Sequence, residues 1–354
     1  MIERLTQESI LLLDTLIAIP SQSREEANTA DIIEAFLKEH VKGRVMRIHN
    51  NVYVRSTRWN DNNPTLLINS HHDTVKPPSS YTRDPYVPTH EKGRIYGLGS
   101  NDAGASVVAL IAAYRYLEEA ELSYNMVLAI SAEEETMGEH GMRALLPQLG
   151  KIDMALVGEP TGMQAAVGER GLVVMDCTAH GIRGHAARNE GINAIDIAIS
   201  DIKRIQDYRF ERTSPLLGEI KMTVTQINAG TQHNVIPDEC NFVIDIRTTD
   251  AYTNEEIVHI IQQLLTSDAR PRSTRVHASA IYEGHPLVEA AIRIGRSTFV
   301  SPTTSDMALM HNIPSLKMGV GQSVRSHTAD EYVLEDEIIE GIQIYINFLQ
   351  HLKI

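Results

Sequence analysis

The sequence predicts an α/β protein built on a largely parallel sheet and interrupted by a second, α+β unit, and three observations predict it. From residue 1 to about 160, helical and strand-like segments alternate, the pattern of a sheet with helical crossovers. Near Gly168 the order changes to strand, helix, strand, strand, helix, strand. After about Tyr282 the first pattern resumes, so the first domain is discontinuous, with 1–166 and 282–354 on either side of an insert at 167–281.

The elements follow in order. ILLLDTLIAIP is broken by Asp14 and preceded by Glu3 and Glu8, which fits an amphipathic helix and not a signal peptide. A helix over Glu25–His40 precedes the strand TLLINS, and an Ala-rich helix over Ala105–Glu119 precedes the strands NMVLAIS and DMALVG. In the insert, LVVMDCTAHG, IKMTVTQINAG, CNFVIDIRTT and RSTRVHASAIY read as strands, with NAIDIAISDIKRI and NEEIVHIIQQLL as helices. Helix LVEAAIRIG, strand PSLKMGVG and a closing helix EYVLEDEIIEGIQIYINFLQHL complete the first domain.

A formal charge of −14 and a pI near 5.5 exclude a phosphate backbone as partner, because no Lys/Arg cluster is present to meet it. No stretch has the length of a membrane span, and a cytoplasmic protein is expected. Two cysteines, Cys177 and Cys240, sit inside expected strands, so neither a disulfide framework nor a thiolate zinc site is available. Any metal must be held by His, Asp and Glu.

In sheets of this kind ligands gather beyond the carboxyl ends of the strands, and the unusual residues fall there. LLINSHHDTV ends a strand on His71, His72 and Asp73. A metal-bound imidazole usually donates its other N–H to a carboxylate, which makes His71 a ligand and Asp73 its orienting partner, with His72 pointing to the other side. IYGLGSNDAGASVVAL delivers Asp102 from a Gly-rich loop, where an Asp is most often a helix cap. LAISAEEETMGEHG carries Glu133, Glu134 and Glu135, a run that elsewhere marks a solvated helix start. ALVGEPTG supplies Glu159 and VRSHTADEYV supplies His327. Each motif alone has a bland reading. Two His, one Asp and two Glu together make a complete oxygen and nitrogen set for a pair of divalent ions, and hence a hydrolytic site.

In order and over essentially the whole chain, these five motifs resemble those of the M20 metallopeptidase family, the group of acetylornithine deacetylases, succinyl-diaminopimelate desuccinylases and aminoacylases. The resemblance implies a zinc-peptidase-like catalytic domain with a mixed, largely parallel sheet, and a ferredoxin-like βαββαβ insert that serves as lid and dimerisation domain. It implies two divalent ions, zinc or alternatively cobalt. His71 and Glu159 would complete one site, Glu135 and His327 the other, with Asp102 bridging, Asp73 orienting His71 and Glu134 as general base. A register one residue earlier in the glutamate run is the alternative.

In HGIRGHAARNEGINAI, His185 matches a histidine that crosses a homodimer interface to stabilise the oxyanion in the partner's active site. Arg170 in GERG, Asn234 in HNVIP, Arg247 in DIRTT and Thr304 and Ser305 in TTSD match positions that hold substrate. A guanidinium suits an α-carboxylate through two parallel hydrogen bonds. One departure stands out: relatives often read Asp-x-Lys-Gly at the bridging aspartate, where this chain has Asp102, Ala103, Gly104, Ala105. An intact site with altered surroundings is expected. The forms GEPT and HTADEY resemble those of the acetylornithine deacetylase branch, implying an N-acylated ornithine or citrulline as substrate in arginine synthesis. Acetyl and succinyl stay open, with Arg183 or Arg188 as the extra cation a succinyl group needs. A dipeptidase or carboxypeptidase using the same metals is the alternative activity, and a non-enzymatic binding module the more distant one.

Overall fold

Strands Thr65–His71, Asn125–Ser131 and Met154–Val157 are dominated by apolar residues with no polar alternation, as expected of strands covered on both faces. Every residue of the three is buried in the computed structural model, which describes residues 1–188 and 190–354. They run parallel, with Leu66 opposite both Met126 and Met154, and Ser315–Lys317 adds a further parallel strand beside Met154–Val157. Across the sheet the order is Val45–Ile48, Asn51–Arg55, Asn125–Ser131, Thr65–His71, Met154–Val157, Ser315–Lys317 and Ala165–Glu169, antiparallel towards both ends. The sheet is therefore mixed. Register places His71 beside Ser131 and Lys317 beside Val157, so the carboxyl ends of the parallel strands share one edge.

Leu67, Val127, Ala129, Ala155 and Val157 pack on Met142, Leu145, Leu149, Met307 and Met310 to form the core on one face. Helices Ile2–Ile17, Ala105–Leu117 and Glu335–His351 pack on one another, and the Tyr345 hydroxyl donates to the Met318 carbonyl at 2.7 Å. The closing helix starts later than the sequence suggests. Tyr332–Leu334 is instead a strand paired with Arg94–Tyr96, and the Leu334 N–H donates to Glu337 Oε2 at 2.9 Å, which marks the helix start. The hairpin of Thr89–Glu91 with Arg94–Tyr96 was not anticipated.

His90 of that hairpin lies between two helices. Its Nε2 is 2.9 and 3.0 Å from the Asp14 carboxylate oxygens and its Nδ1 3.0 Å from Glu335 Oε1. Burial opposes protonation, but Glu335 and Asp14 raise its pKa above the ordinary value. A folded-state pKa above the unfolded value, about 6.5, gives stability that is complete below that value and lost as pH rises through the folded one. The ring is 40% exposed, so solvent screening holds the effect small. His90→Gln is expected to cost roughly 0.5 kcal/mol, read as a lowered Tm at pH 6 that vanishes by pH 9. An equal loss at both pH values would contradict this account.

By contact the chain forms two units: Met1–Gly168, Ile281–Ser301 and Ser305–Ile354 in the first, Glu169–Ala280 and Pro302–Thr304 in the second. In the first unit, the Ile281 N–H donates to the Val167 carbonyl at 2.8 Å, so the chain departs and returns at one place.

The second unit is a four-stranded antiparallel sheet in the order Lys221–Ala229, Glu239–Thr248, Gly171–His180, Asp268–Val276. Alternate residues Val173, Met175, Cys177 and Ala179 face a core made with Phe242, Ile244 and Ile246 and with helices Ala194–Asp207 and Asn254–Leu264. Both cysteines are free and buried. Asn193 caps the first helix, and Thr253 with Glu256 forms a capping box on the second. The last strand runs Asp268–Val276, several residues earlier than its sequence suggests. Pro271 argues against a strand, but this one lies at the sheet edge, where a missing N–H is tolerated and the register slips between Pro271 and Ser273. Its end returns to the start of the unit, with Val276 opposite Leu172. No helix among the described residues is long and apolar enough to cross a membrane.

Candidate metal centre

Strand Thr65–His71 carries His71 to the sheet edge with its imidazole almost completely buried. Nδ1 lies 3.0 Å from the Asp73 backbone carbonyl and 3.4 Å from its Oδ1, which assigns a ring proton to Nδ1 and leaves Nε2 as the atom that could ligate a metal. Nε2 faces Asp102 Oδ1 at 3.2 Å, Glu159 Oε1 at 3.6 Å and Glu134 Oε2 at 3.9 Å. The Asp73 carboxylate does a second job: it accepts from the backbone N–H of Glu134 at 3.0 Å, that of Glu135 at 3.2 Å and the Ser23 hydroxyl at 2.6 Å. One buried residue thus fixes both the imidazole and the glutamate turn. His72 points elsewhere, bonded to Thr29 and the Asn50 carbonyl, and burial lowers its pKa to about 4.

The glutamate run does not continue a helix. Glu133 adopts φ 54°, a left-handed turn that redirects the chain as it leaves Asn125–Ser131. Glu134 is buried beside His71, while Glu135 reaches His327 Nε2 at 3.1 Å. His327, itself at φ 58°, also lies 3.7 Å from Asp102 Oδ2. Two triads result. His71, Asp102 and Glu159 bring ligand atoms within 4.8 Å of one another, as do Asp102, Glu135 and His327, and Asp102 is common to both. A third grouping joins His71, Glu134 and Glu135.

The electrostatics show what this arrangement lacks. Burial, reinforced by Glu159, Asp306 and Glu135, pushes Glu134 well above the ordinary carboxylate range. Burial with Asp102 and Glu135 pushes Glu159 up to about 8. Burial opposes charge on His71, yet Glu134, Asp102, Asp73 and Glu159 together raise it well above an ordinary imidazole. Hydrogen bonding to Glu135 raises His327 to about 9. Glu159 Oε1 is buried without a hydrogen-bond partner. Clustered carboxylates that resist ionisation, imidazoles that attract protons and an orphaned oxygen all call for added positive charge. An oxygen and nitrogen donor set of this kind fits a divalent ion such as zinc.

Close packing fixes Glu159 from behind. A Cβ on Gly319 would lie 2.4 Å from the Glu159 carbonyl oxygen, 2.5 Å from its nitrogen and 2.4 Å from Ser106 Oγ, too close for any side chain. Gly319→Ala is expected to lower stability by about 1–3 kcal/mol through overpacking and to weaken zinc binding by displacing Glu159. A melting curve and a zinc titration of the variant check both, and wild-type values in either would show that the backbone gives way freely.

The remaining sequence candidates are more scattered. His185 lies in the second unit on the short strand Gly184–His185, opposite Val235, with Nδ1 accepting from the Ala187 N–H at 3.1 Å. Asn234 is its neighbour, its carbonyl accepting from the Ala186 N–H at 3.0 Å. Arg170 is committed to backbone, donating to the Leu217 carbonyl and, at 2.6 Å, to that of Glu219. Arg247 forms a fork with Asp245 at 2.8 and 3.1 Å. Thr304 is half-buried in the second unit, and Ser305, in the first, caps the short helical turn Asp306–Leu309. Sequence reasoning missed Glu331, whose carboxylate accepts three backbone N–H groups in the Asp102 turn, and Asp306, which accepts from the Ser131 hydroxyl at 2.7 Å. Glu331 acts on backbone N–H groups alone, and no sequence signal marks that role.

Known proteins share this architecture. A succinyl-diaminopimelate desuccinylase from Paracoccus denitrificans is 28% identical over 317 residues, 81% of this chain and 82% of the relative. Among solved structures, aminopeptidase PepT from Bacillus cereus superposes with a TM-score of 0.76 at 19% identity, covering 99% of each chain. A dinuclear metal binding peptidase of the M20 family from Bacillus subtilis does so at 0.74 and 17% identity, covering 99% of this chain and 98% of its own. The model of peptidase family M20/M25/M40 matches residues 67–351, from the strand that ends on His71 through His327 to the closing helix, and the chain belongs to that family.

Proposed function

We propose that the protein is a metal-dependent amidohydrolase that removes the N-acyl group from a small N-acyl-L-amino acid, with N-acetyl- or N-succinyl-ornithine or -citrulline in arginine synthesis as substrate. The observation that carries this reading is the pair of ligand triads sharing Asp102. His71 and Glu159 would hold one ion and Glu135 and His327 the other, with Asp102 available to both, and the ions would be zinc, cobalt being the alternative. Such a pair, when bound, lowers the pKa of water and polarises a carbonyl.

The chain's own part is proton transfer and positioning. Glu134 takes the proton of the attacking water and passes it to the leaving amine nitrogen, while the water oxygen ends in the carboxylate product. Burial, which raises its proton affinity, suits it to both roles. Asp73, through the backbone N–H groups of Glu134 and Glu135, keeps base and ligand in step. His185, in a lid and dimerisation domain at 167–281, stabilises the oxyanion in the active site of a second copy. Asn234, next to it, would be a substrate contact, as would Thr304 and Ser305. Arg170 and Arg247 already spend their forks on carbonyls and on Asp245, so either must exchange partners to grip a substrate carboxylate.

The kinship with succinyl-diaminopimelate desuccinylases supports an acyl amino acid over a peptide. The test is a set of initial rates on N-acetyl and N-succinyl derivatives of ornithine, citrulline, lysine and diaminopimelate and on simple dipeptides, with and without chelator and added zinc. Chelator-sensitive turnover concentrated on one acyl ornithine or citrulline is the expected result. Turnover of dipeptides alone would replace the deacylase reading with a peptidase one, and no turnover with metal bound would end both.

A further inference from the structure

The turn that supplies Asp102 is held largely by groups from elsewhere in the chain. Ala103 and Gly104 follow the aspartate, and the bend through Gly99, Ser100 and Asn101 directs several backbone N–H groups to one side. Glu331 fills that concavity. Its Oε1 accepts from the N–H of Asn101 and that of Asp102, both at 2.8 Å, and its Oε2 from the N–H of Gly99 at 3.1 Å. The side chain is 2% exposed, so no water substitutes for it readily. A carboxylate among three converging amide donors is a strong, directional anchor.

A second link runs the same way. The Asn101 side chain accepts from the Gln322 N–H at 2.8 Å and donates to the Gln322 carbonyl at 3.2 Å. Gln322 and Glu331 flank His327 in sequence, so the loop that carries His327 also grips the turn that carries Asp102. The two ligand sources are thereby tied together without either ligand side chain taking part.

Resting on the metal-dependent reading above, we infer that Glu331 is a positioning residue of the metal centre: it sets Asp102 between the two ion sites by holding its backbone, and it couples that turn to the His327 loop. It touches neither substrate nor ion. Partners of this kind typically change metal affinity about 10–100-fold when removed.

The test compares Glu331→Leu, Glu331→Gln and Glu118→Leu in the full-length protein. Glu118 is a similar buried carboxylate that accepts from the N–H groups of Lys42 and Gly43, outside the ligand triads, and it controls for general loss of packing. Zinc affinity is measured by chelator competition, and amide hydrogen exchange of Gly99, Asn101 and Asp102 is followed in the metal-free proteins. Glu331→Leu is expected to bind zinc about 10–100-fold more weakly and to exchange faster at those three amides. Glu118→Leu should match wild type in both. Glu331→Gln keeps a carbonyl oxygen for Asn101 and Asp102 but sets its NH2 against the Gly99 N–H, so it should fall between Glu331→Leu and wild type in affinity and protect Asn101 and Asp102 more than Gly99.

Wild-type affinity and exchange in Glu331→Leu would overturn the inference, as would equal losses in Glu118→Leu. Exchange at Asn101 and Asp102 as fast in Glu331→Gln as in Glu331→Leu would also overturn it, because the remaining carbonyl oxygen would then not hold the turn. Should wild type bind no divalent ion, the metal-dependent reading falls, and unchanged exchange at the three amides would separately refute the grip of Glu331 on the turn.

Discussion

Glu134→Gln is expected to keep its metal ions and to lose a factor of about 10²–10⁴ in kcat. The substitution preserves shape and leaves the backbone N–H of residue 134 free to bind Asp73 as before. What it removes is the capacity to accept and return a proton. Neighbouring Glu135 does not replace it, being paired with His327. Because Glu134 lies outside the two triads that share Asp102, the variant should keep its zinc, with affinity lowered only modestly by the loss of one carboxylate beside the ion sites. Metal content by mass spectrometry and steady-state rates on the best substrate give both readings. Retention of most activity with normal metal content would remove Glu134 from the mechanism and favour the alternative register of the glutamate run.

Asp102→Ala should fail differently, by losing the ions themselves. It is the residue common to the triads with His71 and Glu159 and with Glu135 and His327. A single substitution therefore degrades two sites, and activity should fall by on the order of 10³-fold or more. Thermal unfolding gives a readout independent of turnover. An ion present at a thousand times its Kd stabilises the native state by about 4 kcal/mol, so zinc should raise the wild-type Tm clearly and that of Asp102→Ala little. The metal-free variant should not be much less stable than metal-free wild type: it loses the bond to His71 but also a buried negative charge beside Glu159. A zinc-induced Tm rise in Asp102→Ala equal to that of wild type would show that the two sites do not share this carboxylate.

What could be read from the sequence divides along physical lines. Uniformly apolar strands such as Asn125–Ser131 announce a covered sheet, and the residues that break the apolar run at their ends stand out because burial of His or Glu demands a reason. That is how His71, Glu134, Glu135 and Glu159 were visible. Asp102 and His327 were legible through motif order, but their meeting with Glu135 depends on strand neighbours far apart in the chain. Glu331 escaped notice because it acts on backbone N–H groups, which leave no mark in side-chain chemistry. Arg170 misled for the converse reason: a guanidinium serves backbone carbonyls as readily as a ligand, and sequence does not say which. The edge strand Asp268–Val276 was displaced because a Pro that would end a central strand is harmless at an edge.

The bond between Ile281 and Val167 bears on how the chain assembles itself. Entropy opposes bringing together two points separated by a long flexible segment, and the penalty grows with the logarithm of its length. A segment that folds first, with its own ends side by side as Leu172 and Val276 are, behaves as a short loop instead. Closure of Glu169–Ala280 on itself would then bring Val167 and Ile281 within reach of one another, at the margin Ala165–Glu169. A lesion confined to that body, such as loss of Asp201, whose carboxylate ties down the N–H groups of Thr266 and Ser267, would delay closure of the margin and prolong exposure of an unpaired strand during synthesis. Its signature would be aggregation on expression, in a protein whose ligand residues are all intact.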